Sequence, residues 1–310
     1  MVSFLTPVVD EAAPDADAES IEQEIADLER RLAKAKAKRQ PAAHLNSSHD
    51  AHAYTSAEPS QLPATNRTAN HFLLLLSDSA LPLGSFAFSS GLESYLAHAK
   101  VSDSSTAPSL SAFLPLSISS YAATTLPFVL AAHRDPSRLS ALDDALDATI
   151  ICTVGRRASV AQGRALLSIW DRSFASALPP SAEATLRPFL ALLKQPPSPS
   201  PLQSTPPLVS AHLGPLFGAL ARLAGLSLEQ TAYVFLLGHV KALVSAAVRA
   251  GMFGPYQAQK TLAGAAVQEL IAAMVAREWD TPVERVGQSV PVMDLWVGRH
   301  ELLYSRIFNS

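Results

Sequence analysis

The stretch that decides the fold reads SLEQTAYVFLLGHVKALVSAAVRAG and spans residues 227–251. Its Ser227-x-x-Gln230 start is the pattern of a helix capping box, in which two side chains satisfy free backbone amides of the first turn. Gly251 follows the apolar run, and glycine is a frequent residue just past the end of a helix. The segment from Thr231 to Ala250 is long enough to cross a bilayer, but its His, Lys and Arg side chains are costly in lipid. These features predict a long core helix.

Further apolar-periodic segments occur on both sides of this helix. The pattern predicts helices near residues 89–99, over 109–134, within 141–170, over 208–225 and over 260–279. Residues 72–76, Phe-Leu-Leu-Leu-Leu, could form a buried strand, but nothing nearby supplies a partner strand. Pro115 and Pro127 should end or kink the helix around them. Because Ala and Leu dominate and aromatic residues make up only 7% of the chain, we predict an all-α, compact single-domain bundle of about eight to ten helices.

Residues 1–70 differ in composition from the rest of the chain. They carry 11 acidic and 7 basic residues and few aromatic ones, so they cannot bury a core. We expect a low-complexity, mostly disordered extension with a short helix near residues 20–38. The apolar seam in that helix covers two heptads, whereas a stable coiled coil needs about three to four. Residues 71–310 then form one domain, interrupted by a Pro/Ser loop at residues 195–207.

Charge and cysteine content exclude several classes of protein. Residues 71–310 carry 16 acidic and 17 basic residues, which is not the concentrated positive charge that nucleic-acid binding requires. Cys152 is the single cysteine, so no intramolecular disulfide can form, in keeping with a reducing compartment. No basic segment followed by an apolar leader precedes the domain. We therefore expect a cytoplasmic protein that binds neither nucleic acid nor membrane.

The motifs of common enzyme classes are missing from the sequence. It contains no G-x-x-x-x-G-K-[ST] loop and no dinucleotide fingerprint, so we expect no bound GTP or ATP. It contains no G-x-S-x-G element either, and the apolar neighbours of Cys152 are typical of an inert, buried thiol. His44, His49 and His52 cluster without cysteine or carboxylate partners, so we assign no metal ligand. We expect no catalytic residue and no cofactor.

The C-terminal segment HELLYSRIFNS, residues 300–310, is rich in the side chains that dominate protein interfaces. It resembles the C-terminal signature of the UreF family of urease accessory proteins, His-Glu-x-x-Tyr-Ser-Arg-hydrophobic-Phe-x-Ser. A second block, LSDSALPLGSFAFSSGLESY at residues 76–95, resembles the N-terminal signature of the same family. Its Gly84-Ser85-Phe86 stands where the family has Gly-Gly-Phe. Weaker internal blocks, residues 157–164 and 212–218, also resemble family elements.

This resemblance implies a non-catalytic urease accessory protein that serves as a nickel-insertion chaperone. It implies partners: the D/H-type accessory protein (UreD/UreH), the UreG GTPase and apo-urease. The chain would bridge the first two during nickel delivery, modulate GTP hydrolysis and form a homodimer. The residues that the resemblance assigns to partner interfaces are Glu93, Tyr95, Arg249, His300, Glu301, Tyr304, Ser305, Arg306, Phe308 and Ser310. Two other classes stay open: a general α-helical adaptor unrelated to nickel, and an α-helical enzyme with a dispersed active site.

Overall fold

The computed structural model describes residues 26, 27, 29–31, 64–99, 108–195 and 208–309. Contacts divide the chain into two units, Met1–Ser60 and Gln61–Ser310. The described residues of the first unit are helical. The apolar seam of the helix predicted near residues 20–38 lies outside the described residues, and so does the Pro/Ser loop apart from Gln195.

The second unit consists of α-helices joined by turns and short 3-10 segments. The α-helices are α1 Ala64–Ser77, α2 Leu92–Ala99, α3 Leu110–Arg134, α4 Leu139–Thr149, α5 Thr153–Ile169, α6 Pro180–Leu193, α7 Leu213–Leu223, α8 Leu228–Arg249, α9 Pro255–Ala263, α10 Ala265–Glu278 and α11 Val292–Arg299. No β-strand occurs within the described ranges, and the predicted all-α class is confirmed. The leucines at 73–76 lie within α1, so the strand alternative is wrong there.

These eleven helices slightly exceed the predicted number. Two predicted segments are each split, and α6 and α11 form where no helix is predicted. The region 141–170 is interrupted at Ile150, whose backbone is extended and ends α4. The segment predicted over 260–279 is interrupted at Gly264, whose extended backbone (φ −67°, ψ 143°) separates α9 from α10. A short non-helical connection, residues 150–152 in the first case and Gly264 in the second, turns the chain, and the helical periodicity on either side does not predict it.

Helix α3 is the central element of the unit and packs against α7, α8 and α10. It runs unbroken through Pro115 and Pro127. Of the two effects predicted for these prolines, an end of the helix does not occur. Sixteen of its 25 residues are buried, and this packing outweighs the loss of backbone hydrogen bonds at the prolines. Gly218 permits the close crossing of α7 over α3, because a β-carbon there would lie 2.1 Å from the Val129 carbonyl oxygen.

Helix α8 begins and ends as the sequence predicts. The Ser227 hydroxyl accepts a hydrogen bond from the Gln230 amide (3.1 Å), and the Gln230 side chain accepts one from the Ser227 amide (2.9 Å). By length and composition alone α3 and α8 could each cross a membrane. In their most apolar windows 72% and 56% of the residues are buried inside the protein, and core helices meet the same length and apolarity criteria.

Candidate functional site

The carboxylate of Glu93, in the first turn of α2, anchors the C-terminal segment. Its Oε2 lies 3.0 Å from His300 Nε2 and accepts a hydrogen bond from the Phe308 amide at 3.2 Å. Its Oε1 accepts a hydrogen bond from the Ile307 amide at 2.7 Å. The Glu93 side chain is only 11% exposed and His300 is fully buried. Hydrogen bonds to an ionised acceptor are stronger than neutral ones, so this group fixes the path of the segment.

A glycine at the start of α2 brings Glu93 to this position. Gly91 has φ +85°, which favours glycine, and a β-carbon there would lie 3.0 Å from the β-carbon of Trp296 in α11. Tyr95 follows on the same helix, packs edge-on against the Trp296 ring at 5.7 Å and lies tilted against the Phe113 ring at 5.1 Å. Helix α2 is thereby fixed against α11, whose chain leads directly into the C-terminal segment.

Arg249, in the last turn of α8, joins the turn at residues 84–88 to the C-terminal segment. Its guanidinium donates a hydrogen bond to the Phe86 carbonyl oxygen and lies 4.3 Å from the centre of the Phe308 ring. Phe308 is 4% exposed, and the Asn309 amide donates a hydrogen bond to the Ala87 carbonyl oxygen at 2.7 Å. A cation stacked on an aromatic face adds to the burial of that ring.

The opposite side of the segment faces outward. Glu301 pairs with Arg157 and, at 3.2 Å, with Arg306. The hydrogen bond from Arg157, with a further one from Arg306, lowers the pKa of the Glu301 carboxyl. Tyr304 is fully exposed, and Leu302 and Ile307 are 77% and 63% exposed. We call the exposed side chains of Leu302, Tyr304, Arg306 and Ile307 the tail surface.

The structure therefore divides the predicted interface residues into two groups. Glu93, His300 and Phe308 lie inside and make their contacts within this chain, and Tyr95 is half-buried. The exposed ones are Arg249, Glu301, Tyr304, Ser305 and Arg306, whereas Ser310 lies outside the described residues. The sequence does not distinguish anchoring residues from displayed ones, because both types alternate along eleven residues.

A buried carboxylate that the sequence analysis did not single out fixes the segment before α7. Asp143, in the middle of α4, is fully buried and accepts hydrogen bonds from the amides of Ser210 (2.6 Å), Ala211 (3.0 Å) and His212 (2.6 Å). These bonds hold Ala211 at φ +66°, a conformation that is unusual for alanine. No sequence signal marks this aspartate, because its partners lie 67 to 69 residues away.

The side chains next to Asp143 form a row that consists of Asp147, His212 and Ser159. His212 Nε2 is 2.7 Å from Asp147 Oδ1, and His212 Nδ1 is 3.0 Å from the Ser159 hydroxyl. Burial by itself would raise the pKa of Asp147, but hydrogen bonds from Arg156, His212 and Ser210 lower it to about 2. The aspartate is thus an anion held by several donors at once.

This row resembles the order of groups in a hydrolase triad, but the geometry favours a structural brace. Asp147 is also held by Arg156 through two bonds of 2.7 and 2.8 Å, so it is not dedicated to the imidazole. Ser159 lies within α5, where the surrounding amides are engaged in the helix and do not stabilise an oxyanion. The network joins α4, α5 and the segment before α7.

The sequence predicts no metal ligand and a buried, inert Cys152. Across the residues that the structure describes, no three His, Cys, Asp or Glu side chains are grouped as a metal site. His44, His49 and His52 lie outside those residues. Cys152 stands immediately before α5 and is half-buried, not fully buried as its apolar neighbours suggest.

Fold and site together define a class: an all-α protein whose C-terminal segment is anchored by buried contacts and displays exposed side chains at its surface. A family model for UreF matches residues 104–266. A UreF-like urease accessory protein of Schizosaccharomyces pombe is 39% identical over 245 residues, which cover 79% of this chain and 99% of that relative. The chain belongs to the UreF family of urease accessory proteins.

Bacterial and plant proteins with the same description are also similar along most of their length. Urease accessory protein UreF of Paenarthrobacter aurescens is 32% identical over 238 residues, covering 76% of this chain and 95% of the relative. Urease accessory protein F of Oryza sativa is 29% identical over 257 residues, covering 81% and 89%. In each case the similarity therefore covers more than three quarters of this chain.

Proposed function

We propose that this chain is a non-catalytic adaptor in urease maturation. In this role it joins the D/H-type accessory protein (UreD/UreH) to the UreG GTPase, supports nickel delivery to apo-urease and modulates GTP hydrolysis. It acts in the cytoplasm as a homodimer formed through its helical unit. Family membership supports the urease role, and the single structural observation that supports docking is the anchored C-terminal segment with its tail surface.

The physical argument rests on preorganisation. The amides of residues 307–309 are already bonded to Glu93 and to the Ala87 carbonyl oxygen, so a partner does not have to order this backbone on binding. Tyr304 and Arg306 are side chains of the types that contribute most to interface affinity. Immobilising a segment before association reduces the entropy lost on binding. A rigid tail surface is therefore suited to bind a protein partner.

A helical adaptor unrelated to nickel would use the same tail surface. An enzyme with a dispersed active site is disfavoured by the geometry around Ser159. Membership of the UreF family favours the urease role over both. Urease activity in a host that lacks this chain, measured with and without added nickel, tests that role directly. Activity that is independent of the chain at limiting nickel would overturn it.

Replacement of Tyr304 by Ala tests the docking surface. Truncating an interface hot spot costs about 2–4 kcal/mol, or roughly 30- to 1,000-fold in affinity. We expect a loss of this size in binding to the immobilised D/H-type protein, for Tyr304→Ala and for Arg306→Ala. The melting temperature should stay unchanged, because the Tyr304 side chain makes no buried contact.

The matched control is Tyr256→Ala. Tyr256 is 91% exposed on α9, so this variant removes an equally accessible tyrosine elsewhere on the surface. It should bind the partner like the unmodified chain. Equal affinity of the Tyr304 and Tyr256 variants would show that the C-terminal segment is a structural strap and not a docking element.

A further inference from the structure

A cavity of about 620 Å³ lies in the helical unit between α3 and α8, bordered by the chain before α2 and the turn before α11. This volume is in the range of pockets that hold small organic ligands. Hydroxyl groups from successive turns of α3 line one wall, contributed by Ser117, Ser120, Tyr121 and Thr124. No part of the proposed docking role uses this space.

An aromatic stack forms the floor of the cavity. The Tyr121 ring is parallel to the His239 imidazole at 4.1 Å and to the Phe235 ring at 5.2 Å. The Ser117 hydroxyl lies 3.0 Å from His239 Nε2. The Tyr121 hydroxyl has no hydrogen-bond partner among the residues that the structure describes. The floor thus offers a flat apolar face beside a free donor.

Gly238, next to His239, leaves the α8 backbone uncovered beside the cavity. Glycine destabilises a helix interior, and close packing explains the helical glycines at positions 163 and 218. A β-carbon at Gly163 or Gly218 would lie 2.1 Å from a backbone carbonyl oxygen. At Gly238, which lines the cavity in the middle of α8, a β-carbon would meet no atom within 4 Å. No side chain therefore covers the α8 backbone at Gly238, so a ligand ring can approach it closely.

The charges around the cavity define the class of ligand. The Lys241 ammonium donates to the Ser77 carbonyl oxygen, and Asp294 accepts a hydrogen bond from Gln288 at 2.9 Å. Asp78 accepts one from the Ala80 amide at 2.9 Å. The described lining thus carries one ammonium and two carboxylates, so it does not present a uniform charge of one sign. A charged ligand would lose its hydration on entry, whereas an uncharged ligand avoids that cost.

We propose that this cavity is a binding site for an uncharged, partly aromatic small molecule. Its ring lies against the Tyr121–His239 stack and the bare backbone at Gly238, and its polar group bonds the Tyr121 hydroxyl. This site goes beyond the adaptor role and is independent of the C-terminal segment.

Two fluorescent probes of nearly the same shape test this site on the full chain. N-phenyl-1-naphthylamine is uncharged, and 1-anilinonaphthalene-8-sulfonate is its sulfonated counterpart. We expect saturable binding of the uncharged probe and at least tenfold weaker binding of the sulfonate. No saturable binding of the uncharged probe, or equal affinity for both probes, would overturn the proposal.

Filling the cavity provides the second arm of the experiment. Gly238→Phe places a ring in the open space and should weaken binding of the uncharged probe at least tenfold. Ser245→Trp, at a lining position two turns further along α8, should do the same if the Gly238 variant does not fold. Gly254→Phe is the control, because a β-carbon at Gly254 would also meet no atom within 4 Å, but this residue lies outside the cavity. Equal binding by a folded cavity-filling variant and this control would contradict the assignment.

Discussion

Glu93 is an anchoring residue: its carboxylate collects three donors from the C-terminal segment and is itself nearly inaccessible. The residues predicted at partner interfaces therefore have two different roles. Tyr304 and Arg306 are exposed and can contact a partner directly. Glu93 contributes indirectly, because it bonds the amides of Ile307 and Phe308 and so holds the C-terminal segment on the helical unit. Loss of Glu93 should therefore weaken docking through disorder of the segment.

Glu93→Ala should release the amides of Ile307 and Phe308. A hydrogen bond to a charged acceptor contributes about 1.5–3 kcal/mol, so we expect protection of these two amides from hydrogen exchange to fall by roughly 10- to 150-fold. Mass-spectrometric hydrogen exchange of the C-terminal peptide measures this change. Glu301→Ala is the control, since Glu301 bonds only side chains of the described residues and should leave the two amides protected. Unchanged protection in the Glu93 variant would contradict the anchoring role.

His239 should make stability depend on pH below neutrality. Burial lowers its pKa from 6.5 to about 4, whereas in the unfolded chain it titrates normally. Between these values the unfolded state binds a proton that the folded state does not, so stability is full above pH 6.5 and falls as the pH drops towards 4. The loss at pH 4.5 should be about 2–3 kcal/mol.

Urea unfolding at pH 7 and pH 4.5 checks this effect by comparison with His239→Gln. The glutamine keeps a group that can bond Ser117 but does not titrate, so the variant should lose about 2–3 kcal/mol less than the unmodified chain over the same interval. Asp147 does not interfere, because folding lowers its pKa from 3.8 to about 2, so its stabilising contribution persists above pH 3.8 and is lost only below that value. Parallel losses in both proteins would show that His239 is not the titrating group.

At the scale of elements, two close approaches between backbones occur at glycine. Gly218 on α7 meets the carbonyl of Val129 on α3, and Gly163 on α5 meets the carbonyl of Ala211. These contacts leave no room for a methyl group and bring the backbones of neighbouring elements together. The positions of α5 and α7 around α3 therefore depend on two residues without side chains.

Gly218→Ala and Gly238→Ala should change stability in opposite directions. At Gly218 the new methyl would overlap a backbone oxygen, so we expect a loss of at least about 2 kcal/mol in the free energy of unfolding. At Gly238 the methyl enters open space and the helix gains about 0.5–1 kcal/mol relative to glycine. Denaturant unfolding of the pair at pH 7 measures both. A stabilised Gly218 variant would show that this contact is more tolerant than its geometry indicates, and a destabilised Gly238 variant would contradict the open space at that position.

At the scale of the whole molecule, the folded unit begins earlier than composition indicates. Helix α1 starts at Ala64 and contributes Phe72 and Leu76 to the core, although residues 1–70 read as one acidic, aromatic-poor stretch. Charge and composition change gradually along the chain, whereas a helix must begin at one residue. A boundary at Gln61 therefore preserves α1 intact.

A chain that starts at Gln61 should fold like the full chain. The removed residues cannot bury a core, so the unfolding transition should remain cooperative with an unchanged midpoint. If the homodimer forms through the helical unit, light scattering should also report twice the mass of the shortened chain. A lowered midpoint would place part of the removed segment in the core, and a monomer mass would contradict dimerisation through this unit.

Local chemistry suffices for the helices and for the class of fold. The capping box at Ser227, the stop at Gly251 and the 3.6-residue periodicity act between residues three or four positions apart, so they can be read in order along the chain. The block around Glu93 and the C-terminal segment could likewise be marked as functional from their residue types and their family resemblance.

The tertiary structure alone decided which of these residues anchor and which are displayed. Glu93 meets His300, Ile307 and Phe308 across 207, 214 and 215 positions of sequence, and Asp143 meets the amides before α7 across 67 to 69. Such pairings depend on how α2, α4 and α11 are placed around α3, because a carboxylate bonds whichever donors packing brings within about 3 Å. Periodicity carries no information about that placement, and so the anchor, the brace and the cavity beside Gly238 become visible only in three dimensions.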